Sequence, residues 1–299
     1  MKKEILVPVV KLFLLNEPVC FFRKARYIFW MPLLLLSACG SYLYPLGKYQ
    51  KTAYKDNVKR LDENYSRFVP VKLPLDSLSA KQWTAPSPNF NVRRPNMVVI
   101  HHTAENGCGQ SLRTLSNAAA QGRVSSHYLI CKDGTVYQLV SELYRAWHAG
   151  LGKWGNITDV NSASIGIELD NNGNEIFSDK QIASLLVLLQ SLKQRYHIPT
   201  ANFVGHADIA PTRKQDPSVY FPWQQLADNG YGYWKDSVLV EPPPDFDYKT
   251  ALRVIGYDIA DLPAAIIAFK RHFVQNDISP QLSDDDLKVL YDIFQQYDR

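Results

Sequence analysis

The chain has 299 residues, of which 46% are hydrophobic and 21% charged, a composition typical of globular proteins and long enough for more than one domain. Its formal net charge is +4, but residues 1–38 alone carry six Lys or Arg residues against two Glu, so the rest of the chain is formally neutral. Nothing in this balance calls for a nucleic-acid partner, which would demand a basic face, and we expect none.

The N-terminal region carries the features of a targeting segment. A basic cluster at 23–26 precedes an apolar run at 27–36, which is too short to span a bilayer as a helix. The sequence Leu-Ser-Ala-Cys at 36–39 follows and resembles a bacterial lipobox, in which the cysteine is lipidated. The residue after the cysteine is Gly rather than Asp, and by this resemblance the outer membrane is the expected destination. We therefore predict a lipid anchor at Cys39 that holds the protein on the outer membrane, facing the periplasm. The alternative interpretation is a buried hydrophobic helix.

Several short runs in the middle of the chain predict β-strands. Three of them are apolar and too short for a helix, so buried strands are expected at 96–103, 164–169 and 202–206. Residues 126–140 contain two apolar runs around the turn signal Lys-Asp-Gly, which predicts a β-hairpin.

Helical patterns occur between the strands and at the end of the chain. Ser178 begins the longest pattern, and Gln181 is predicted to complete a capping box with it. Pro199 ends this helix, and three shorter helical patterns follow within 248–299. We predict an α/β fold, with a central mixed β-sheet flanked by helices and a small C-terminal three-helix domain.

These patterns divide the chain into segments. We predict a lipoprotein signal region at 1–38 and a polar tether at 39–80. The main domain is predicted at 81–232, followed by a proline-rich linker at 233–247 and a helical domain at 248–299. Cys108 and Cys131 fall in the main domain. Outside the reducing cytosol they form either a disulfide or two buried thiols, and the sequence does not decide between these states.

Side chains that bind metals occur at the predicted strand ends. A catalytic zinc needs three protein ligands and an open position for water. One ligand is expected from His101 or His102, of which only one can face a given site because adjacent strand residues point to opposite faces. His206 and Asp216 complete the candidate set. Both faces of the first strand are apolar, so the pattern does not choose between the two histidines, and each residue taken alone is more often structural.

Two further charged residues accompany this set. A carboxylate at Glu168, within an otherwise apolar strand, is costly unless it has a partner or a chemical role. The alternative to a role is a salt bridge to Arg213 or Lys214. Lys214 precedes Asp216 by two residues and could stabilise a developing oxyanion, the alternative being a solvated surface charge.

Five motifs in order carry a family resemblance. They are VVIHHTA, SSHYLI, RAWHAG, SIGIEL and GHADIAPTRKQDP, which begin at residues 98, 125, 145, 164 and 205. Together they closely resemble the zinc-dependent N-acetylmuramoyl-L-alanine amidases of the type-2 amidase family, related in fold to peptidoglycan recognition proteins. The resemblance covers the predicted main domain at 81–232. The segment 251–275 also resembles the helical peptidoglycan-binding domain of outer-membrane lipoprotein members.

The resemblance implies a function and assigns roles to residues. It implies a monomer that binds one zinc ion per chain and hydrolyses the amide between the lactyl group of N-acetylmuramic acid and L-alanine in peptidoglycan or muropeptides. The ligands would be His101, His206 and Asp216, with Glu168 as general base and Lys214 as oxyanion stabiliser. The implied substrate-groove residues are His127, Trp147 and His148. The alternatives are a non-catalytic peptidoglycan-binding lipoprotein and an amidase specialised for recycling anhydro-muropeptides.

Overall fold

The structure, a computed structural model, describes residues 48–65, 93–117 and 123–298. The predicted signal region and the lipidation of Cys39 lie outside these residues. All described residues belong to one compact unit. Among the described helices, none combines the length and the hydropathy needed to cross a bilayer.

A five-stranded mixed sheet forms the centre of the fold. Its strands in chain order are β1 Met97–His102, β2 Tyr128–Ile130, β3 Val136–Gln138, β4 Ser164–Leu169 and β5 Phe203–Gly205. Their order across the sheet is β3-β2-β4-β1-β5, with β3 antiparallel to β2 and the other pairs parallel. The carboxyl ends of β4, β1 and β5 therefore meet at one edge of the sheet.

The described part of the chain also contains nine α-helices. Those described are α1 Lys48–Tyr65, α2 Cys108–Ser116, α3 Val160–Ala163, α4 Asp179–Tyr196, α5 His206–Ile209, α6 Trp223–Asp228, α7 Tyr248–Ile255, α8 Leu262–Phe273 and α9 Asp284–Tyr297. A 3₁₀ turn at Thr200–Asn202 precedes β5. The predicted α/β fold, with a central sheet, flanking helices and a C-terminal helical region, is confirmed.

Two local expectations differ from the structure. The capping box at α4 is only half formed, since the Ser178 hydroxyl accepts from the backbone N–H of Gln181 at 3.2 Å. The Gln181 side chain instead donates to the backbone carbonyls of Ile130, which ends β2, and of Asp170, which directly follows β4. The other difference is α1, an exposed helix within the segment predicted to be a tether.

The sheet is buried on both faces. On one face, apolar side chains of β1 and β4 pack against α4 in a cluster that includes Val98, Ile100, Ile165, Ile167, Leu185 and Leu189. On the other face, Met97, Val99 and Val204 belong to a cluster with the apolar faces of α7, α8 and α9. Each fully buried aliphatic side chain contributes about 1.5–3 kcal/mol. The C-terminal helices thus share a core with the sheet. The predicted boundaries of the chain segments remain predictions.

A disulfide links the sheet to α2. Cys108 is the first residue of α2 and Cys131 directly follows β2, and their Cα atoms lie 5.4 Å apart. The structure therefore has the disulfide rather than the two buried thiols.

Candidate metal centre

Strand alternation separates the two adjacent histidines. The side chain of His101 is almost fully buried and lies on the same face of β1 as Val99. The side chain of His102 points to the opposite face, where its Nδ1 accepts the backbone N–H of Ser218 at 3.1 Å. The parallel register places Glu168 of β4 directly beside His101. The histidine that reaches the candidate site is therefore His101.

Three metal-binding side chains converge at the carboxyl edge of the sheet. His101 is the next-to-last residue of β1, His206 directly follows β5, and the loop after α5 returns Asp216 to the same point, held by a 2.7 Å hydrogen bond from the Ala207 N–H to the Asp216 carbonyl. The Nδ1 atoms of His101 and His206 lie 2.9 Å apart. Oδ2 of Asp216 lies 3.1 Å from the first and 3.0 Å from the second. These three residues could hold a metal ion.

The hydrogen bond on the far side of the His206 ring fixes its tautomer. Its Nε2 lies 3.0 Å from the backbone carbonyl of Ala149, which can only accept a hydrogen bond. Nε2 therefore carries the hydrogen in the neutral ring, and Nδ1 presents a lone pair to the site.

A short relay fixes the His101 tautomer in the same way. The Ser164 hydroxyl donates to the Val160 carbonyl at 2.5 Å, so its oxygen accepts from Nε2 of His148 at 3.2 Å. Nδ1 of His148 is then an acceptor, and it receives the Nε2 hydrogen of His101 at 3.0 Å. The Nδ1 atom of His101 therefore also presents a lone pair. Three electron-pair donors face one point without a hydrogen between them, an arrangement that suits a bound cation.

The protonation states agree with this arrangement. Burial, reinforced by the neighbouring His206, lowers the pKa of His101 to about 4, so the ring is neutral at pH 7. Burial raises the pKa of Asp216, and hydrogen bonds from protonated His101 and His206 would lower it; with neither Nδ1 carrying a hydrogen, a bound cation would take over that stabilisation of the carboxylate. Neutral imidazole and ionised carboxylate are the forms that bind metals, and two histidines with one carboxylate suit zinc.

Glu168 stands beside the three donors with an unused oxygen. Its Oε2 is buried and has no hydrogen-bond partner among the described residues. Burial, followed by the negative charge of Asp216, raises the pKa of Glu168 to about 8, and the ammonium group of Lys214 acts in the opposite direction. Lys214 also lowers the pKa of His101, which places its charge near the site. Arg213 instead donates to the carbonyls of Ala149 and Leu151.

Comparison with known proteins assigns the family. The family model for N-acetylmuramoyl-L-alanine amidase matches residues 91–219. The AmiD amidase of Escherichia coli (strain K12) is 38% identical over 212 residues, which cover 60% of this chain and 75% of AmiD. The chain belongs to the N-acetylmuramoyl-L-alanine amidase family. The predicted activity, hydrolysis of the amide between N-acetylmuramic acid and L-alanine, is confirmed.

Other relatives agree with this assignment. The E. coli AmiD structure, a complex with anhydro-N-acetylmuramic acid-L-Ala-D-gamma-Glu-L-Lys, has a TM-score of 0.60 at 32% identity, covering 75% of this chain and 95% of that chain. A complex of Pseudomonas aeruginosa AMPDH3 with an anhydromuramic pentapeptide has a TM-score of 0.62 at 28% identity, covering 74% and 99%. Haemophilus influenzae AmpD, a 1,6-anhydro-N-acetylmuramyl-L-alanine amidase, is 41% identical over 106 residues, which cover 35% of this chain and 58% of AmpD.

In this amidase, the three predicted groove residues occupy different environments. His127 is fully buried, with Nδ1 accepting from the Gly166 N–H and Nε2 donating to the Tyr144 carbonyl, each at 3.0 Å. His148 lies behind His101 and packs on Gly166, where an added Cβ would sit 2.3 Å from the His148 ring. Trp147 is 48% exposed, so it is the one of the three whose ring is open to a ligand.

Sequence reasoning missed the residues that support the amidase site. Ser164 fixes the ring of His148, and the side-chain carbonyl of Asn161 accepts the backbone N–H groups of His148 and Ala149 at 3.0 and 2.9 Å. A signal for Ser164 was present, since Ser164, Gly166 and Glu168 alternate along β4 and mark a face that is not purely apolar. No local pattern marked Asn161, which lies on α3.

Proposed function

We propose that this amidase binds one zinc ion through His101, His206 and Asp216 and uses it in hydrolysis of the lactyl–L-alanine amide. The observation that supports this proposal is the set of three electron-pair donors, 2.9–3.1 Å apart, with their hydrogens directed away from one another. Zinc in such a site lowers the pKa of a coordinated water to about 7 and polarises a substrate carbonyl.

Glu168 is the proposed proton carrier. Its free Oε2 accepts a proton from the attacking water, and the nearby cation favours the ionised carboxylate that this step needs. Water then adds to the lactyl carbonyl carbon, and Lys214 stabilises the negative oxygen that forms. Glu168 passes its proton to the nitrogen of L-alanine as the carbon–nitrogen bond breaks.

We further propose that the substrates are muropeptides, including those with anhydro ends. The complexes of AmiD and AMPDH3 with anhydromuramic peptides support this range. Trp147 offers an exposed aromatic face next to the loop that carries His148 and Ala149, and we propose that it contacts the substrate. For His127 and His148, whose ring nitrogens are already engaged, a role behind the site fits the geometry better.

The cell envelope is the proposed location. The basic cluster, the short apolar run and the Leu-Ser-Ala-Cys sequence support lipidation at Cys39 and anchoring to the outer membrane. Labelling cells with an alkyne fatty acid should mark the wild-type protein and leave Cys39→Ser unmarked. Equal labelling of both proteins would contradict the anchor.

Mass spectrometry of digested muropeptides tests the proposed chemistry. The purified protein should release the stem peptide from purified sacculi and from anhydro-muropeptides, and a chelator should stop the release until zinc is restored. Glu168→Ala should keep its zinc and lose cleavage. Undiminished cleavage in the presence of a chelator, after the protein's metal has been removed, would contradict the zinc proposal.

A further inference from the structure

A buried carboxylate lies two residues beyond the candidate ligand His206. Asp208 is in α5, a helix of only four residues, and it is 2% exposed. Its Oδ2 accepts the backbone N–H of Gly205 at 2.6 Å, which closes the N-terminal turn of the helix around His206. Such a short helix is not stable by itself, so tertiary contacts, including those of Asp208, hold it in position.

The other two partners of Asp208 come from the C-terminal helical region. The hydroxyl of Tyr257, just after α7, donates to Oδ1 at 2.7 Å. Nδ1 of His272, in α8, donates to Oδ2 at 2.7 Å. Both side chains are 3% exposed, so the cluster is closed to solvent. Three hydrogen-bond donors thus satisfy the buried carboxylate of Asp208, and the loss of any one of them would be costly.

The histidine of this cluster is itself fixed by packing. The His272 ring stacks between Trp223 and Phe273, at centroid distances of 3.8 and 4.0 Å. Trp223 also approaches Gly205, where an added Cβ would lie 3.2 Å from the indole ring. The ring stack and the hydrogen bond together determine where Asp208 is held.

Backbone hydrogen bonds connect α5 to the metal centre. The Ala207 N–H donates to the Asp216 carbonyl at 2.7 Å, and His206 begins the same helical turn as Asp208. A shift of Asp208 therefore moves the segment that carries His206 and the anchor of Asp216 together. Loss of groups that hydrogen-bond metal ligands directly weakens metal binding about 10–100-fold, and a support one contact further out should act at the low end of that range.

We propose that Tyr257 and His272 are positioning residues of the metal centre, which hold His206 in place through Asp208. The inference rests on the proposed zinc site. It gives the C-terminal helices a task in the hydrolytic site itself, in addition to any contact they make with peptidoglycan.

Zinc affinity of the full chain, measured by competition with a chromophoric chelator, tests this role. Tyr257→Phe removes only the hydroxyl, and His272→Phe removes the donor while keeping a ring for the stack. Both should bind zinc about tenfold more weakly than wild type. His272→Asn, whose amide nitrogen can replace Nδ1 as donor, should recover part of the loss.

Tyr297→Phe is the matched control. It removes a hydroxyl that donates to the Ala201 carbonyl at 3.3 Å, at the same interface, rather than to Asp208. Its zinc affinity should equal that of wild type, even where its melting temperature falls. Unchanged affinity in Tyr257→Phe, or an equal loss in Tyr297→Phe, would overturn the inference. If His272→Phe does not fold, Tyr257→Phe decides alone, and a wild-type chain without zinc affinity would refute the proposed zinc site instead.

Discussion

The two histidines of the candidate metal centre are chemically alike but are held by different regions of the molecule. His101 is fixed from within the sheet, because the relay through His148 ends on Ser164, a residue of the adjacent strand. His206 lies on a short helix whose carboxylate, Asp208, is held by side chains of the C-terminal region. A single ion site can thus depend on one local support and one supplied by residues far along the chain.

Loss of Asp216, the carboxylate that both histidines contact, should disrupt metal binding by the whole site. Asp216→Ala is expected to lower the rate of muropeptide cleavage by a factor of about 1,000 or more, because metal assistance contributes several kcal/mol. The rate is measured by chromatographic release of the stem peptide. His102→Ala serves as control, since that side chain lies on the opposite face of β1 and is not one of the three metal-binding groups, so its loss should leave most of the activity. Comparable losses in the two variants would contradict the assignment of the site.

Removal of the proposed proton carrier separates chemistry from metal binding. Glu168→Gln keeps the shape of the side chain but cannot accept a proton, so cleavage should fall about 10²–10⁴-fold while zinc content stays at the wild-type level. Metal analysis and cleavage assays on the same preparation check both parts. Full turnover by this variant would show that another group carries the proton.

Variants that remove the residues holding either His101 or His206 compare the two histidines directly. His148→Phe keeps the ring that packs on Gly166 but leaves the Nε2 hydrogen of His101 without an acceptor, so zinc affinity should fall about 10–100-fold. In the double variant with His272→Phe, the two losses in zinc affinity should multiply if each support acts only on its own histidine. A double variant no weaker than either single variant would show that the two supports act as one.

Much of this architecture could be predicted from the sequence. The runs around 96–103, 164–169 and 202–206 predicted three strands of the sheet, and the order of the motifs predicted the family. Local periodicity could not choose between His101 and His102, because both faces of β1 are apolar. The register with Glu168 and the burial of His101 supplied the missing information.

The residues that hold the metal-binding side chains in place could not be predicted from local sequence patterns, for a physical reason. The side-chain donors to Asp208 come from positions 49 and 64 residues further along the chain, and no periodic pattern connects residues at such separations. The capping box predicted at Ser178 is half formed for a related reason. Carbonyls at strand ends, distant in sequence, take the Gln181 side chain.

The smallest expected effect concerns the metal-free protein. Burial and the proximity of Asp216 raise the pKa of Glu168 from an ordinary 4.5 to about 8. Between these values the folded chain holds a proton that the unfolded chain has lost, so stability falls as the pH rises from 4.5 through 8. Thermal melting of chelator-treated protein should show this fall, and Glu168→Gln should lessen it, with about 2–4 °C for each kcal/mol of stability. Parallel curves for the two proteins would exclude the raised pKa.

Native mass spectrometry after zinc addition to the chelator-stripped chain tests the central claim most directly. Wild type, Glu168→Gln and His102→Ala should each bind one zinc ion tightly, since their three donors are intact. His206→Ala and Asp216→Ala should bind none under the same conditions. A wild-type chain without zinc, or Asp216→Ala loaded like wild type, would contradict the claim that His101, His206 and Asp216 together hold the ion.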